Sequence, residues 1–449
     1  MPSSQNILAL RYLALTLAGF CVSQAAHAQL GTSPLVPRTA AAQVGLERAW
    51  FAQIGADPAF SEVTAWTLHH DRIFGVSNTG TAFALDTETG ERLWIRQVGK
   101  RGYRAFGPGA NSKSVAIVSG SKIYVLDRDD GRILFSRDLG SAPGAGPALT
   151  EDYAFVVLMT GRVEGYRLDD PKAQPWYYNS RGRAFLRPVT TGGVVSWPTN
   201  AGLLYVSSAT DPGLLYRIQT NDEIIAPPAE LDGNLFIASL DGYLYSIDGL
   251  TGNEQWRFAA GWPIESQPAV VGDMAFVSSI EPAIHAIETS TGNELWDIPG
   301  ASQFVSEGKN RVYAADPMGN LLVLDMKTGA TLGTLATAEG LYPLVNDQTD
   351  RIFLVNKHGL VQCLHEIGVS QPIEHRKMKT AAPKKKDEGD EDIFGVNEDA
   401  ADDEPAEGGG LFDDAVEEPD DQPAVEDEPE DEPATEPQGD LFDDIDLFE

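Results

Sequence analysis

Short runs in which every second residue is apolar recur along this chain. The clearest is Tyr243-Leu244-Tyr245-Ser246-Ile247, where Tyr243, Tyr245 and Ile247 share one face of a strand. A polar turn from Asp248 to Asn253 follows, with Gly252 placed where a tight turn needs a positive φ. Glu254-Gln255-Trp256-Arg257-Phe258 then alternates again, which puts Glu254 and Trp256 on one side and Gln255 on the other. The stretch predicts a hairpin. A lone hairpin buries too little to be stable, so its recurrence is what matters.

The same pattern returns at Gly80–Trp94, Ser121–Phe135, Pro282–Trp296 and Gly319–Gly329. Each copy runs through an Asp or Glu, then a turn Gly, then usually an aromatic residue. Asp86, Gly90 and Trp94 form one such set, and Asp127, Gly131 and Phe135 another. Asp248, Gly252 and Trp256 form the third; Gly292 with Trp296 and Asp325 with Gly329 complete the series. Trp94 to Phe135 is 41 residues, Phe135 to Trp176 is 41, and Trp256 to Trp296 is 40. The 80 residues between Trp176 and Trp256 hold one degenerate copy around Leu214–Ile218. Further apolar runs lie upstream in each unit, such as Asn234–Ser239 and Met274–Ser279, with inner strands starting near Pro147, Pro188, Pro228, Pro268 and Phe304.

A period near 40 with four short strands per unit predicts an all-β propeller of four-stranded antiparallel blades. The units fall at 65–102, 107–142, 146–184, 187–223, 226–264, 266–301 and 303–339. An eighth, 342–366, lacks its outermost strand, and Gly45–Trp50 reads as an outermost strand with nothing before it. The two fragments predict a ring closed by strands from both ends of a propeller spanning 44–366. The count is eight blades, or seven if the degenerate unit is not a blade.

The flanks differ. Arg11, the apolar run Tyr12–Val22 and the small residues of Ala26-His27-Ala28 predict an export signal over 1–28, cleaved between Ala28 and Gln29. Lipoprotein processing at Cys21 is the alternative, although Phe20 separates it from Leu17-Ala18-Gly19. Residues 29–43 read as a leader and 367–386 as a basic linker. No other apolar run approaches the ~20 residues of a membrane span. The expected location of the mature chain is therefore extracytoplasmic and periplasmic, and its expected state is a monomer.

Charge then changes the picture. The formal net charge of −34 is concentrated in 387–449, which hold 29 Asp and Glu and no Lys or Arg, leaving −5 for residues 1–386. A nearly neutral globular part argues against a nucleic-acid surface. The acidic tail has too little apolar area to offset chain entropy and is expected to be disordered. It repeats an apolar pair among carboxylates: Ile393-Phe394, Leu411-Phe412, Leu441-Phe442 and Leu447-Phe448. These are candidate partner-binding anchors that gain from multiplicity; the alternative is a solubilising extension.

The hairpin resembles the quinoprotein-type (PQQ-like) repeat, in which a strand ends in Leu-Asp, a Thr-Gly turn follows and Trp closes the next strand. The resemblance extends to exported BamB-like proteins. It implies that Trp50, Trp94, Trp256 and Trp296 pack between blades and that Asp86, Asp127, Asp248 and Asp325 shape turns. It also implies envelope proteins as partners, among them the β-barrel assembly machinery. Quinoprotein dehydrogenases share the fold type, but need Ca²⁺, a catalytic Asp and often a disulfide of adjacent cysteines. Cys21 and Cys363 are not adjacent, and Cys363 reads as a buried core residue.

No catalytic set emerges from the residues themselves. His69 and His70, adjacent on a strand, are expected on opposite faces and unable to chelate one ion; His285, His358 and His365 are isolated. There is no phosphate loop and no nucleophile elbow. Arg101, Arg104, Arg181 and Arg183 are basic spots near expected blade ends; they read as solvated surface, the alternative being a site for an acidic partner such as the tail itself. The expected function is a non-enzymatic propeller scaffold without cofactor or metal. A quinone-dependent dehydrogenase and a ligand-sensing propeller are the alternatives.

Overall fold

A computed structural model describes residues 34–54, 61–211 and 213–376. The export signal, the cleavage residues Ala28 and Gln29, Cys21 and the tail anchors (Phe394, Leu411, Phe412, Leu441, Phe442, Leu447 and Phe448) lie outside them. The described chain forms eight four-stranded antiparallel sheets. In chain order the first seven occupy 63–97, 105–138, 148–179, 189–219, 229–259, 269–299 and 303–335. They are called blades 1 to 7. Blade 8 takes three strands from 342–366 and its outermost strand from Leu46–Gln53, which pairs antiparallel with Leu360–Glu366. The degenerate unit is a true blade, so the ring has eight, and it closes with strands from both ends.

The core is divided among the blade junctions. Eight apolar clusters each join two neighbouring sheets. Phe74, Val76 and Trp94 of blade 1 meet Val115 and Ile117 of blade 2 in one; Phe353 and Val361 of blade 8 meet Ile73 and Phe83 of blade 1 in another. Each sheet is therefore covered on both sides. This explains why second strands such as Ser114–Ser119 and Ile352–Val355 are buried at every position and lose the alternation of a half-exposed strand. Tyr243, Tyr245 and Ile247 pack towards blade 4, while Leu244 packs towards blade 6.

The outer hairpins carry a feature that simple alternation misses. In every blade but the third, the register shifts by one residue just before the repeated aromatic position. In blade 5, Trp256 pairs with Ser246 and Glu254 with Ile247, so Gln255 is the extra residue of a bulge. Glu254 and Trp256 consequently point to opposite faces, not the same one. The bulge also accounts for the outward Leu residues in this position, Leu93, Leu134, Leu215, Leu295 and Leu332, which are 38–56% exposed.

The flanks of the ring are more ordered than their composition suggests. The leader contains a helix, Arg38–Gln43, whose Ala41 is buried with Val36 and Leu46 between blades 7 and 8. Beyond the last strand, residues 367–376 continue as a folded strap. Thr349 and Glu374 form an isolated bridge, Ile373 donates to Asp350 Oδ1 at 2.9 Å, and Arg351 donates to the carbonyls of Val369 and Ser370.

Candidate functional site: the two faces of the ring

The repeated residues converge on one structural unit. In blades 8, 1, 5 and 6 the Trp leans onto the turn of the next blade and donates its indole N–H there: Trp50 to Thr87 O (3.0 Å), Trp94 to Arg128 O (2.9 Å), Trp256 to Thr289 O (2.7 Å) and Trp296 to Met326 O (2.8 Å), whereas the indole N–H of Trp176 in blade 3 has no partner. Tyr216 substitutes in blade 4, donating to Gly249 O at 2.7 Å. The turn Gly lies beneath the ring it supports. A Cβ on Gly292 would stand 2.7 Å from Trp256, and one on Gly90 would stand 2.3 Å from Trp50; both have φ above +70°. Gly131, Gly252 and Gly329 meet Trp94, Tyr216 and Trp296 in the same way.

The turn carboxylates face their own turns. Asp248 Oδ1 accepts from the Thr251 N–H (2.7 Å) and hydroxyl (2.8 Å), and the Thr251 backbone bond above all holds its pKa below the ordinary value. Asp325 does the same with Thr328, the side-chain bond being the larger cause. Asp86 accepts from Glu88 and Thr89, and Asp127 from Asp129 and Asp130. Phe135 is partly buried against the blade 2–3 cluster. These residues are committed to packing and turn geometry.

Strand direction separates the remaining loops into two faces. The inner strands end on the back face, together with the third-to-fourth strand turns just described. The front face carries the blade-to-blade connections and the second-to-third strand turns. Exposed large apolar side chains gather on the front: Tyr103, Phe185, Ile225, Trp262, Ile280 and Met318 are 38–85% exposed. Arg101, Arg104, Arg181 and Arg183 are exposed on the same face.

The back face instead closes over the channel. Arg376 of the strap reaches three blades, donating to Glu230 Oε1 (3.0 Å), Glu230 O (2.7 Å) and Val270 O (3.2 Å), and pairing with Asp347 at 2.9 Å. His375 Nε2 meets Glu307 O at 2.8 Å. Burial, reinforced by Asp273, pushes the Glu307 carboxyl up to about 7, and its Oε2 has no partner. Arg351 and Arg128, both nearly fully buried, lock neighbouring turns by pairing with Glu88 (2.9 Å) and Asp71 (2.7 Å). No repeat pattern marks Arg376 and His375, which lie beyond the last blade and act across several blades.

The histidine expectation needs correction. His70 sits in the turn with φ +52°, and its ring meets that of His69 edge-on at 4.7 Å. The turn breaks the strand alternation that would have separated them. Burial, with His70, Arg128 and Arg187 adding, pushes His69 down to about 3. Among the described residues, no group of three His, Cys, Asp or Glu is disposed to hold a metal. Cys363 is buried, which pushes its thiol pKa up. No helix among the described residues is long and apolar enough to cross a membrane.

This is an eight-bladed β-propeller of quinoprotein-type repeats. A family model described as outer membrane protein assembly factor BamB matches residues 78–181, 170–264 and 241–353, and the chain belongs to that family. BamB from Moraxella catarrhalis superposes with a TM-score of 0.58 at 17% identity, over 72% of this chain and 98% of that one. The computationally designed Ika8 protein gives 0.55 at 17%, covering 68% and 96%. The C-terminal WD40 domain of Sif2 gives 0.56 at 12%, covering 72% and 99%. At these identities the likenesses speak to fold alone. A search of curated proteins finds no sequence match.

Proposed function

We propose that this protein is a non-enzymatic scaffold of the cell envelope, exported to the periplasm, that holds partner proteins against the front of its ring. The observation that carries this reading is the gathering of exposed apolar side chains on one face. Tyr103, Phe185 and Trp262 are each at least 42% exposed there, beside unshielded arginines. Aromatic and Arg side chains are the residue types that dominate protein interfaces. Family membership supports the same reading, since the family is named for outer membrane protein assembly. The internal repeat supports it too, because its recurring aromatic, Asp and Gly residues are taken up by packing and turn geometry.

The test is capture of envelope proteins by the tagged chain, with and without residues 387–449, from solubilised membranes. Recovery of a reproducible partner set that Trp262→Ala and Phe185→Ala together abolish is the expected result. A capture unchanged by both substitutions would reject the front face. Titration with pyrroloquinoline quinone and Ca²⁺ provides the enzymatic control: saturable binding coupled to dye-linked alcohol oxidation would overturn the scaffold reading.

A further inference from the structure

At the front mouth of the channel, between blades 1 and 2, lies a cleft of about 440 Å³. It is lined by Tyr103, Arg104, Phe106, Asn78 and Thr64, with the Phe106 ring packed partly into the blade 2–3 core. The Arg104 guanidinium lies 4.7 Å from the centroid of the Phe106 ring. Tyr103 is 58% exposed, and Lys100 and Arg101 beside it are also exposed. Among the described residues none of Lys100, Arg101 and Arg104 has a carboxylate within ion-pairing distance. Glu62, a carboxylate at this edge, is held by Lys357 at 2.9 Å.

We propose that this cleft binds an acidic peptide segment of a partner protein, in which a pair of large apolar side chains is flanked by carboxylates. The proposal rests on the front face being a protein-binding surface and names the chemistry of one ligand there. The exposed Tyr103 ring suits an inserted Leu or Phe side chain, which gains by burial and ring contact. A guanidinium already stacked on Phe106 keeps its edge N–H groups available to a carboxylate. Lys100 and Arg101 extend the positive arc along the connection, so carboxylates on either side of the apolar pair meet cations. Short acidic motifs captured by Arg clusters follow the same physics.

The test uses fluorescence anisotropy of the full chain with three labelled synthetic peptides of equal length. The first carries Leu-Phe between aspartates, the second Ala-Ala between aspartates, and the third Leu-Phe between asparagines. Saturable binding of the first alone is expected, weakened roughly tenfold by Arg104→Gln and similarly by Tyr103→Ala. Lys327→Gln on the back face should leave affinity unchanged. Both front residues are exposed in a connection, so an unchanged thermal midpoint verifies that the ring is intact. Equal affinity for the Ala-Ala peptide would mean a non-selective polyanion surface and overturn the proposal, as would absence of binding. Envelope capture that persists in the Tyr103→Ala, Arg104→Gln double variant, with no peptide bound by the native chain, would sink this inference and leave the scaffold reading standing.

Discussion

At the residue scale, the turn glycines carry two demands at once. Gly292 needs a positive φ, +75°, and has Trp256 against the place a Cβ would occupy. Left-handed geometry and overpacking each cost about 1–3 kcal/mol for a side chain. Gly292→Ala should therefore destabilise the ring by roughly 2–4 kcal/mol, measured by denaturant unfolding; a loss comparable to an exposed-loop substitution would refute the stacking argument. Glu307 makes a different demand. Its folded pKa, about 7, lies above the ordinary 4.5 of a glutamate, so the carboxyl is favoured neutral in the fold. Stability from this source is complete below pH 4.5 and lost as pH rises through 7. Glu307→Gln should remove that dependence and stabilise the protein at pH 8 by about 1–2 kcal/mol, after discount for partial solvent access. His69 acts in the opposite direction: its folded pKa of about 3 means stability is present above 6.5 and lost as pH falls towards 3. Thermal midpoints of native and Glu307→Gln proteins across pH 4 to 8 should converge at the acid end and separate at the alkaline end.

At the element scale, much of the fold was legible because the repeat is a hydrophobic one. Alternation, turn chemistry and a 40-residue period all point to one hairpin, and the inner strands begin just after the prolines expected to start them, as at Pro228 and Pro268. What alternation does not encode is the bulge. Gln255 leaves no trace in polarity, yet it turns Glu254 away from the side that Trp256 occupies. The expectation that His69 and His70 lie together on a strand failed for a related reason, since the strand ends at His69 and His70 enters the turn. The strap was illegible because Arg376 reads as one cation of a basic linker, while its partners, Glu230, Val270 and Asp347, are brought near only by the ring. The front face shared that limit. Its arginines stood out in the sequence, whereas Tyr103, Phe185 and Trp262 were ordinary aromatics until strand direction assigned them a common side.

At the scale of the whole molecule, the ring depends on a single shared sheet. Blade 8 owes its outer strand to Leu46–Gln53, and that strand contributes Trp50, which leans on blade 1, and Leu46, which is buried between blades 7 and 8. Val44 covers Gly333, the blade 7 position where other blades carry an aromatic side chain, and accepts from Arg311 at 3.2 Å. Deleting residues 34–53 should expose the Leu360–Glu366 edge and cost roughly 5 kcal/mol or more, from several large buried side chains. Loss of a cooperative thermal transition, together with aggregation in size-exclusion chromatography, is the expected outcome. A deletion variant that remains monomeric with an unchanged midpoint would show that the seven complete blades hold the ring by themselves.

That shared sheet also sets the order of events as the chain folds. Trp50 pairs with Cys363, and Leu46 with Glu366, contacts that span more than three hundred residues of sequence. Neighbouring blades can nucleate from local hairpins, but a contact of such separation must first meet the entropy of closing a very long loop. During synthesis, the strand from 46 to 53 appears before the other strands of the ring and has no partner until the last of them is available. An amphipathic strand with Phe51 54% exposed even in the finished ring must therefore wait unpaired through the whole interval. The consequence is a kinetic window of vulnerability, in which the outer strand of blade 8 is open to capture by the wrong edge until the chain has delivered residue 366.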